Sequence, residues 1–258
     1  MLAKLHHPRL LTLMAICDEV KGADGRETVS GRAIVTELME LGSLYTVLHH
    51  PASGKAVIST LVQRLQIALD IAEGMRFLHA SHLIHRDLKS GNVLMGPDLR
   101  CKICDFGLSK FKDSTLSLIT AGPTVGTPAW TAPELLREEQ ASNSSDVYSY
   151  GVILWEVFTG LIPWEGKSMF QIINQVASLN KTLKLPPVCE DCPLKIVEIM
   201  QRCFEVSPSR PSFKELCREV IALTGTHESS ADNRMVQIRT NSLLRQFSYI
   251  TNSNSIFA

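Results

Sequence analysis

The chain carries no net charge, its 26 Lys and Arg balancing 26 Asp and Glu. Without a broad basic field, non-specific binding to nucleic acid is disfavoured. Long hydrophobic runs are lacking too. The longest, Gly151 to Trp164, is broken by Glu156, Thr159 and Pro163 and falls short of the roughly 18–20 residues of a membrane helix. The start, Met1-Leu2-Ala3-Lys4-Leu5-His6-His7-Pro8, has neither the apolar segment nor the cleavage site of a secretory signal, so a reducing, cytoplasmic setting is expected. Internal repeats are absent. What is there, 258 residues of which 45% are hydrophobic and 20% charged, suits one or two folded domains with a sizeable core.

Seven cysteines, an odd number, fit a reducing compartment. The pairs Cys101/Cys104 and Cys189/Cys192 hold enough thiolates for a zinc site. The alternation in Arg100–Cys104 puts the first two on opposite faces of a strand, however, and the pairs lie far apart, so buried thiols are the preferred reading.

Leu10–Ile16 and Arg32–Leu38 are β-tolerant runs flanking the turn chemistry of Lys21–Gly25 and predict two paired strands. Thr60 and Gln63 form a capping box for a helix whose Leu61, Leu65, Ala68, Ala72, Met75 and Leu78 recur at helical spacing. Ser144–Thr159 is apolar almost all round and stops at Gly160, as expected of a central buried helix. Two further helices are expected, one through Leu194, Val197, Met200 and Phe204, the other from the capping box Ser212/Glu215 to about Leu223. Beyond Gly225 the composition turns to Ser, Asn, Thr and Arg and predicts a mobile tail, in which Arg239-x-x-Ser242 and Arg245-x-x-Ser248 match the short pattern of basophilic phosphorylation sites.

Chemistry concentrates in His85-Arg86-Asp87-Leu88-Lys89-Ser90-Gly91-Asn92, followed by Asp105-Phe106-Gly107 and by Ala132-Pro133-Glu134. Phosphoryl transfer needs an oriented acceptor hydroxyl, metal held against phosphates, and neutralisation of spread negative charge. Asp87 can orient a hydroxyl and take its proton, Lys89 can reach the transferred group, and Asn92 and Asp105 offer hard oxygen ligands suited to Mg2+. A short hairpin, Val93–Met95 against Arg100–Cys104 with its turn at Gly96-Pro97-Asp98, brings those two ligands together.

In this order the three motifs resemble the catalytic loop and activation segment of the eukaryotic protein-kinase family. Lys89 and Gly126–Glu134 resemble the tyrosine-kinase-like group, near Raf-like and mixed-lineage kinases. So do Ser145–Gly151 with Trp155-Glu156, and Arg210-Pro211-Ser212-Phe213. The resemblance implies an α+β, two-lobed kinase fold: a partial antiparallel-sheet small lobe and hinge over residues 1–40, a mostly α-helical large lobe over 41–224, and a disordered tail over 225–258. It implies ATP and Mg2+ as cofactors, a protein substrate with a Ser or Thr acceptor, and no nucleic acid or membrane segment. By the same resemblance Ala33–Leu44 runs from the last small-lobe strand into the hinge, where Glu37 and Met39 offer main-chain groups to adenine, Thr36 guards the pocket and Leu94 lies beneath the ring. His85 and Phe106 would stack in a hydrophobic spine, Thr127 would contact Asp87 and Lys89, Asp146 would brace the catalytic loop, and Glu134 would pair with Arg210. Ser114, Thr115, Ser117, Thr120 and Thr124 offer phosphosites that Arg86 could order.

No Gly-x-Gly-x-x-Gly with a following strand lysine precedes the hinge, and Leu2–Pro8 resembles the end of the helix that carries that lysine's glutamate partner. A serine/threonine kinase read without its upstream portion, and a pseudokinase-like binding or scaffold module, are the two readings. A small-molecule phosphotransferase is disfavoured by Ala132-Pro133-Glu134. The 258 residues alone are expected to show weak or no activity, and an uncovered apolar surface along the two strands.

Overall fold

A computed structural model describes residues 5–21, 28–51, 58–106, 127–188 and 191–227. Gly107, the loop hydroxyls from Ser114 to Thr124, Cys189 and the two Arg-x-x-Ser sites lie outside these.

Two strands, β1 (Leu13–Lys21) and β2 (Thr28–Thr36), pair antiparallel with Leu13 opposite Thr36, Cys17 opposite Ala33 and Lys21 opposite Thr28. Both are displaced from the expected Leu10–Ile16 and Arg32–Leu38 toward their connecting turn. Leu10 is diverted because burial elsewhere suits it better. It is 1% exposed and forms a parallel bridge with Ile103, fixed by hydrogen bonds from Leu11 N–H to Ile103 O (2.9 Å) and from Ile103 N–H to Arg9 O (2.9 Å). The segment before β1 is therefore anchored on the helical lobe rather than on the hairpin. Within the hairpin, Met14 (67%), Ile16 (62%) and Ile34 (63%) remain exposed, the expected uncovered apolar face.

The helical lobe is built on two helices. After α1 (Leu44–His49), helix α2 (Leu61–Ala80) starts at the Thr60/Gln63 capping box, with Gln63 N–H donating to Thr60 Oγ1 at 3.2 Å, and buries Leu65, Ala68, Ala72, Met75 and Leu78 completely. After α3 (Pro133–Leu136), helix α4 (Asn143–Thr159) is buried along the whole of 145–158 and ends where Gly160 turns left-handed at φ 68°. Among the described residues the lobe also holds α5 (Met169–Ile173), which runs into a π-helical stretch (Asn174–Ser178), and the helices α6 (Leu194–Cys203) and α7 (Phe213–His227). Helix α7 keeps the Ser212/Glu215 cap but runs one turn past Leu223. Its neighbour across the core is α2, while α6 lies against α4.

The α4–α6 crossing requires a glycine. A Cβ on Gly151 would stand 2.6 Å from Cys203 Cβ and 3.0 Å from Phe204 Cε1. Gly151→Ala is accordingly expected to lower the unfolding free energy by about 1–3 kcal/mol through overpacking, read by urea denaturation.

The second hairpin, β3 (Val93–Met95) and β4 (Cys101–Ile103), turns at Gly96-Pro97-Asp98 with Gly96 N–H on Arg100 O at 2.9 Å. Cys101 and Cys104 are both buried thiols, and among the described residues no His, Cys, Asp and Glu cluster suits a metal. No helix among them is long and apolar enough to cross a membrane.

Candidate active site

Asp146, near the start of α4 and 1% exposed, is the support under the loop 85–92. Its Oδ2 accepts from His85 N–H (2.8 Å) and pairs with His79 Nε2 (2.8 Å), while Oδ1 accepts from Arg86 N–H (2.9 Å). Drawing two successive amides to one carboxylate fits the left-handed Arg86 (φ 67°), a conformation a non-glycine residue adopts only when its surroundings impose it. Asp146 therefore ties the backbone at residues 85 and 86 to the start of α4.

Asn92 ties the loop into a unit. Its amide nitrogen donates to Asp87 O (2.7 Å) and to Asp87 Oδ2 (3.2 Å), which leaves the amide oxygen as the hard donor. Lys89 Nζ lies 3.2 Å from the same Asp87 Oδ2. Cys104 N–H donates to Asn92 O (2.9 Å), so the β3–β4 ladder sets Asp105 beside Asn92, and the Asp105 carboxylate is exposed on a left-handed residue (φ 59°). His85 is fully buried and its Nε2 meets Cys104 O at 3.0 Å. Phe106 packs at the core's margin, and among the described residues the ring contacts do not include a His85–Phe106 pair. Lys89 and Asn92 thus meet at the Asp87 carboxylate, with Asp105 following the backbone bond between Cys104 and Asn92; Thr127 opens the short turn Thr127–Ala129, and its side chain lies outside the described residues.

The stretch expected to be the hinge runs along β3: Leu41 N–H donates to Met95 O (3.1 Å), and Met95 N–H to Gly42 O (2.8 Å). Leu94, the residue before Met95, is bridged to Ser43 and lies opposite Lys102. Thr36 closes β2, and its hydroxyl donates to Glu37 O at 3.2 Å. Met39 O takes Gly42 N–H at 3.1 Å. The Glu37 side chain does more than the sequence suggested. It accepts from Lys102 Nζ (2.6 Å) and from Thr12 N–H (2.8 Å), pinning the hinge to β4; burial works against its ionisation, but these bonds prevail and hold its carboxyl below its ordinary value.

Glu134 and Arg210 form a buried pair, bidentate at 2.6 and 3.0 Å, with Ser145 Oγ donating to Glu134 Oε1 at 3.0 Å. Burial pushes the Glu134 carboxyl up, yet the Arg210 and Ser145 hydrogen bonds and the Arg210 charge outweigh it and leave it below the usual carboxylate range. A folded pKa below the unfolded one means the unfolded chain binds more protons. The pair's contribution is then full above the ordinary carboxylate pKa and lost as the pH falls through the folded value. The stability gap between the wild type and Glu134→Gln is expected to narrow as the pH is lowered through the carboxylate range, in denaturation curves taken at each pH.

Two buried carboxylates were given no site role from the sequence. Asp70, fully buried on α2, receives Arg100 Nε (2.9 Å), Cys101 N–H (3.1 Å) and Gln66 Nε2 (2.9 Å), with Arg9 Nε at 3.1 Å, and so knots the chain before β1 to the β3–β4 turn. Glu156, fully buried on α4, receives Trp130 Nε1 (2.6 Å), Ser90 Oγ (2.9 Å) and His49 Nε2 (3.2 Å). Burial raises the Glu156 carboxyl, against those hydrogen bonds. The available signal was a single acidic residue in an otherwise apolar stretch of helix.

The family described as protein tyrosine and serine/threonine kinase matches residues 1–220. The chain is 39% identical over 216 residues to the probable serine/threonine-protein kinase SIS8 of Arabidopsis thaliana, covering 83% of this chain and 19% of that protein. It is 36% identical over 213 residues to the serine/threonine-protein kinase CTR1 of the same plant, covering 81% and 24%. To the mitogen-activated protein kinase kinase kinase zak-1 of Caenorhabditis elegans it is 35% identical over 236 residues, covering 88% and 30%. The chain spans less than a third of the length of each of these relatives.

Proposed function

The chain belongs to the protein tyrosine and serine/threonine kinase family, in its tyrosine-kinase-like group, and on that premise we propose that its site transfers the γ-phosphoryl group of ATP to serine or threonine hydroxyls of protein substrates. One observation carries the reading. The Asn92 amide clasps both the main chain and the carboxylate of Asp87, while the Cys104–Asn92 hydrogen bond sets Asp105 alongside. The donor set fits magnesium: an amide oxygen and an exposed carboxylate are hard ligands, few enough to share the ion with phosphates. Asn92 and Asp105 would hold Mg2+, which would supply positive charge against that of the phosphates. Asp87 orients the acceptor hydroxyl and accepts its proton, Lys89 faces the transferred group, and the hinge from Thr36 to Met39, with Leu94 beneath, receives the adenine.

The names of the relatives support serine and threonine as acceptors, and Lys89 agrees with them. A cytoplasmic setting is part of the same proposal. A second reading, a binding module without catalysis, is favoured by the exposed apolar strand face of Met14, Ile16 and Ile34. The discriminating experiment extends the chain upstream with the Gly-rich loop and strand lysine of a relative and supplies γ-labelled ATP, Mg2+ and an acceptor protein. Label in phosphoserine and phosphothreonine, lost on chelation of Mg2+, is expected; an extended chain that binds ATP but labels nothing would support the binding module instead.

A further inference from the structure

Where the end of α2 meets the first turns of α4 and α7, a cavity of about 490 Å³ opens that no Asp or Glu lines. Four basic side chains border it, and two of these are already engaged: His79 pairs with Asp146, and Arg210 with Glu134. Arg76 and Lys214 remain, both exposed, and neither has an ion pair among the described residues. Their charge is therefore turned on the cavity without a protein group to offset it.

The backbone adds to this field. Asn143 and Ser144 begin α4, Phe213 and Lys214 begin α7, and all four border the cavity, so two helix N-termini contribute their partial positive charge to one space. The opposing pole, the carbonyl end of α2 at Ala80, is partly closed, since Ser81 N–H donates to Phe77 O and Leu78 O, both at 3.0 Å. Glu215, in the first turn of α7, is spent on its own cap, taking Ser212 N–H and Ser212 Oγ at 2.7 Å each. A second observation is independent of charge. The Ser144 hydroxyl, on the cavity wall, is buried and has no hydrogen-bond partner, whereas its neighbours on α4 are bonded, Ser145 to Glu134 Oε1 (3.0 Å) and Ser149 to Trp130 O (2.8 Å). A buried hydroxyl left unbonded is costly, and the protein supplies this one with no acceptor.

We propose that this cavity binds a small phosphate monoester with an apolar ring, its phosphate held by Arg76, Lys214 and the two helix starts. A doubly charged group rich in acceptor oxygens suits two free cations, two N-termini and an orphaned hydroxyl. The volume is that of a small-molecule site and too large for a bare ion, and Val147, Pro211 and Phe213 supply an apolar side for the ring. Asp87, Lys89, Asn92 and Asp105 are not among the lining residues, so the site stands whether or not the chain transfers phosphate.

Phenyl phosphate is to be titrated calorimetrically into the full 258-residue chain, as wild type, Arg76→Gln, Lys214→Gln, Ser144→Ala and Lys89→Met. Saturable binding at one site is expected, weakened roughly tenfold by each loss of a cation and about threefold by Ser144→Ala. Arg76 and Lys214 are exposed, so their variants keep the fold, which circular dichroism checks. Lys89→Met leaves the affinity unchanged; its loss there would assign the phosphate to the catalytic loop and overturn the proposal. Inorganic phosphate should bind at least about tenfold more weakly, and benzyl alcohol, the ring without the charge, not measurably. Inorganic phosphate as tight as phenyl phosphate would mean an adventitious ion only. No binding at millimolar phenyl phosphate, or equal affinity in Arg76→Gln and Lys214→Gln, would also overturn the proposal. A phosphotyrosine peptide binding about tenfold more tightly than phenyl phosphate would overturn the assignment to a small molecule.

Discussion

Arg210→Met is expected to cost about 3–5 kcal/mol of unfolding free energy, the largest stability loss of any single change in the helical lobe. Arg210 is not one bond among many. Its guanidinium spans both oxygens of buried Glu134, donates to Ser144 O (2.9 Å) and Glu205 O (2.7 Å), and lies 5.2 Å from the centre of the Tyr148 ring. Removing it strands the buried Glu134 carboxylate, whereas removing both charges together leaves far less uncompensated. The double variant Arg210→Met/Glu134→Gln should therefore recover part of the loss. Equilibrium urea denaturation of the two variants checks both statements; a single-variant loss under about 1 kcal/mol would place the pair in solvent-like surroundings.

Asp87→Asn is expected to lower phosphoryl transfer by the upstream-extended protein about 10²–10⁴-fold, with little change in stability. The asparagine keeps the size and one oxygen, so the Asn92 clasp on the main-chain Asp87 O survives. What goes is the base: an amide cannot take a hydroxyl proton, and it no longer faces Lys89 as a charge. Because Asp87 is part-exposed, its ion pair with Lys89 is worth little to folding. A fall in kcat with the KM for ATP unchanged is the pattern of a group acting on the acceptor. A rise in that KM instead would mean that Asp87 serves nucleotide binding.

Much of this was legible from residue order. The Thr60/Gln63 and Ser212/Glu215 boxes, the Gly160 stop and the apolar run before it are local signals with local causes, and the helices start or stop where those signals place them. The strand ends were misplaced because Leu10 and Leu38 are β-tolerant by composition but are governed by long-range partners or their absence. Leu10 is taken by Ile103, and Leu38 is left 84% exposed in the hinge. Within the site, the motif residues could be read because their spacing is short. Asp70, Glu156 and the Glu37–Lys102 link join residues from 26 to 107 positions apart, through side chains whose types are ordinary on a surface. Only packing shows that those carboxylates are inside, and burial is what turns them into fixed acceptors.

The account turns on Asp87, Lys89, Asn92 and Asp105 acting as one phosphoryl-transfer unit. Its most direct test is kcat/KM for the upstream-extended protein carrying Asp87→Asn, Asp105→Asn, or both, with the same Ser/Thr acceptor. Members of one unit are not additive, so the double variant should be about as impaired as the worse single one. Losses that multiply in the double variant, or full activity in either single variant, would contradict the account.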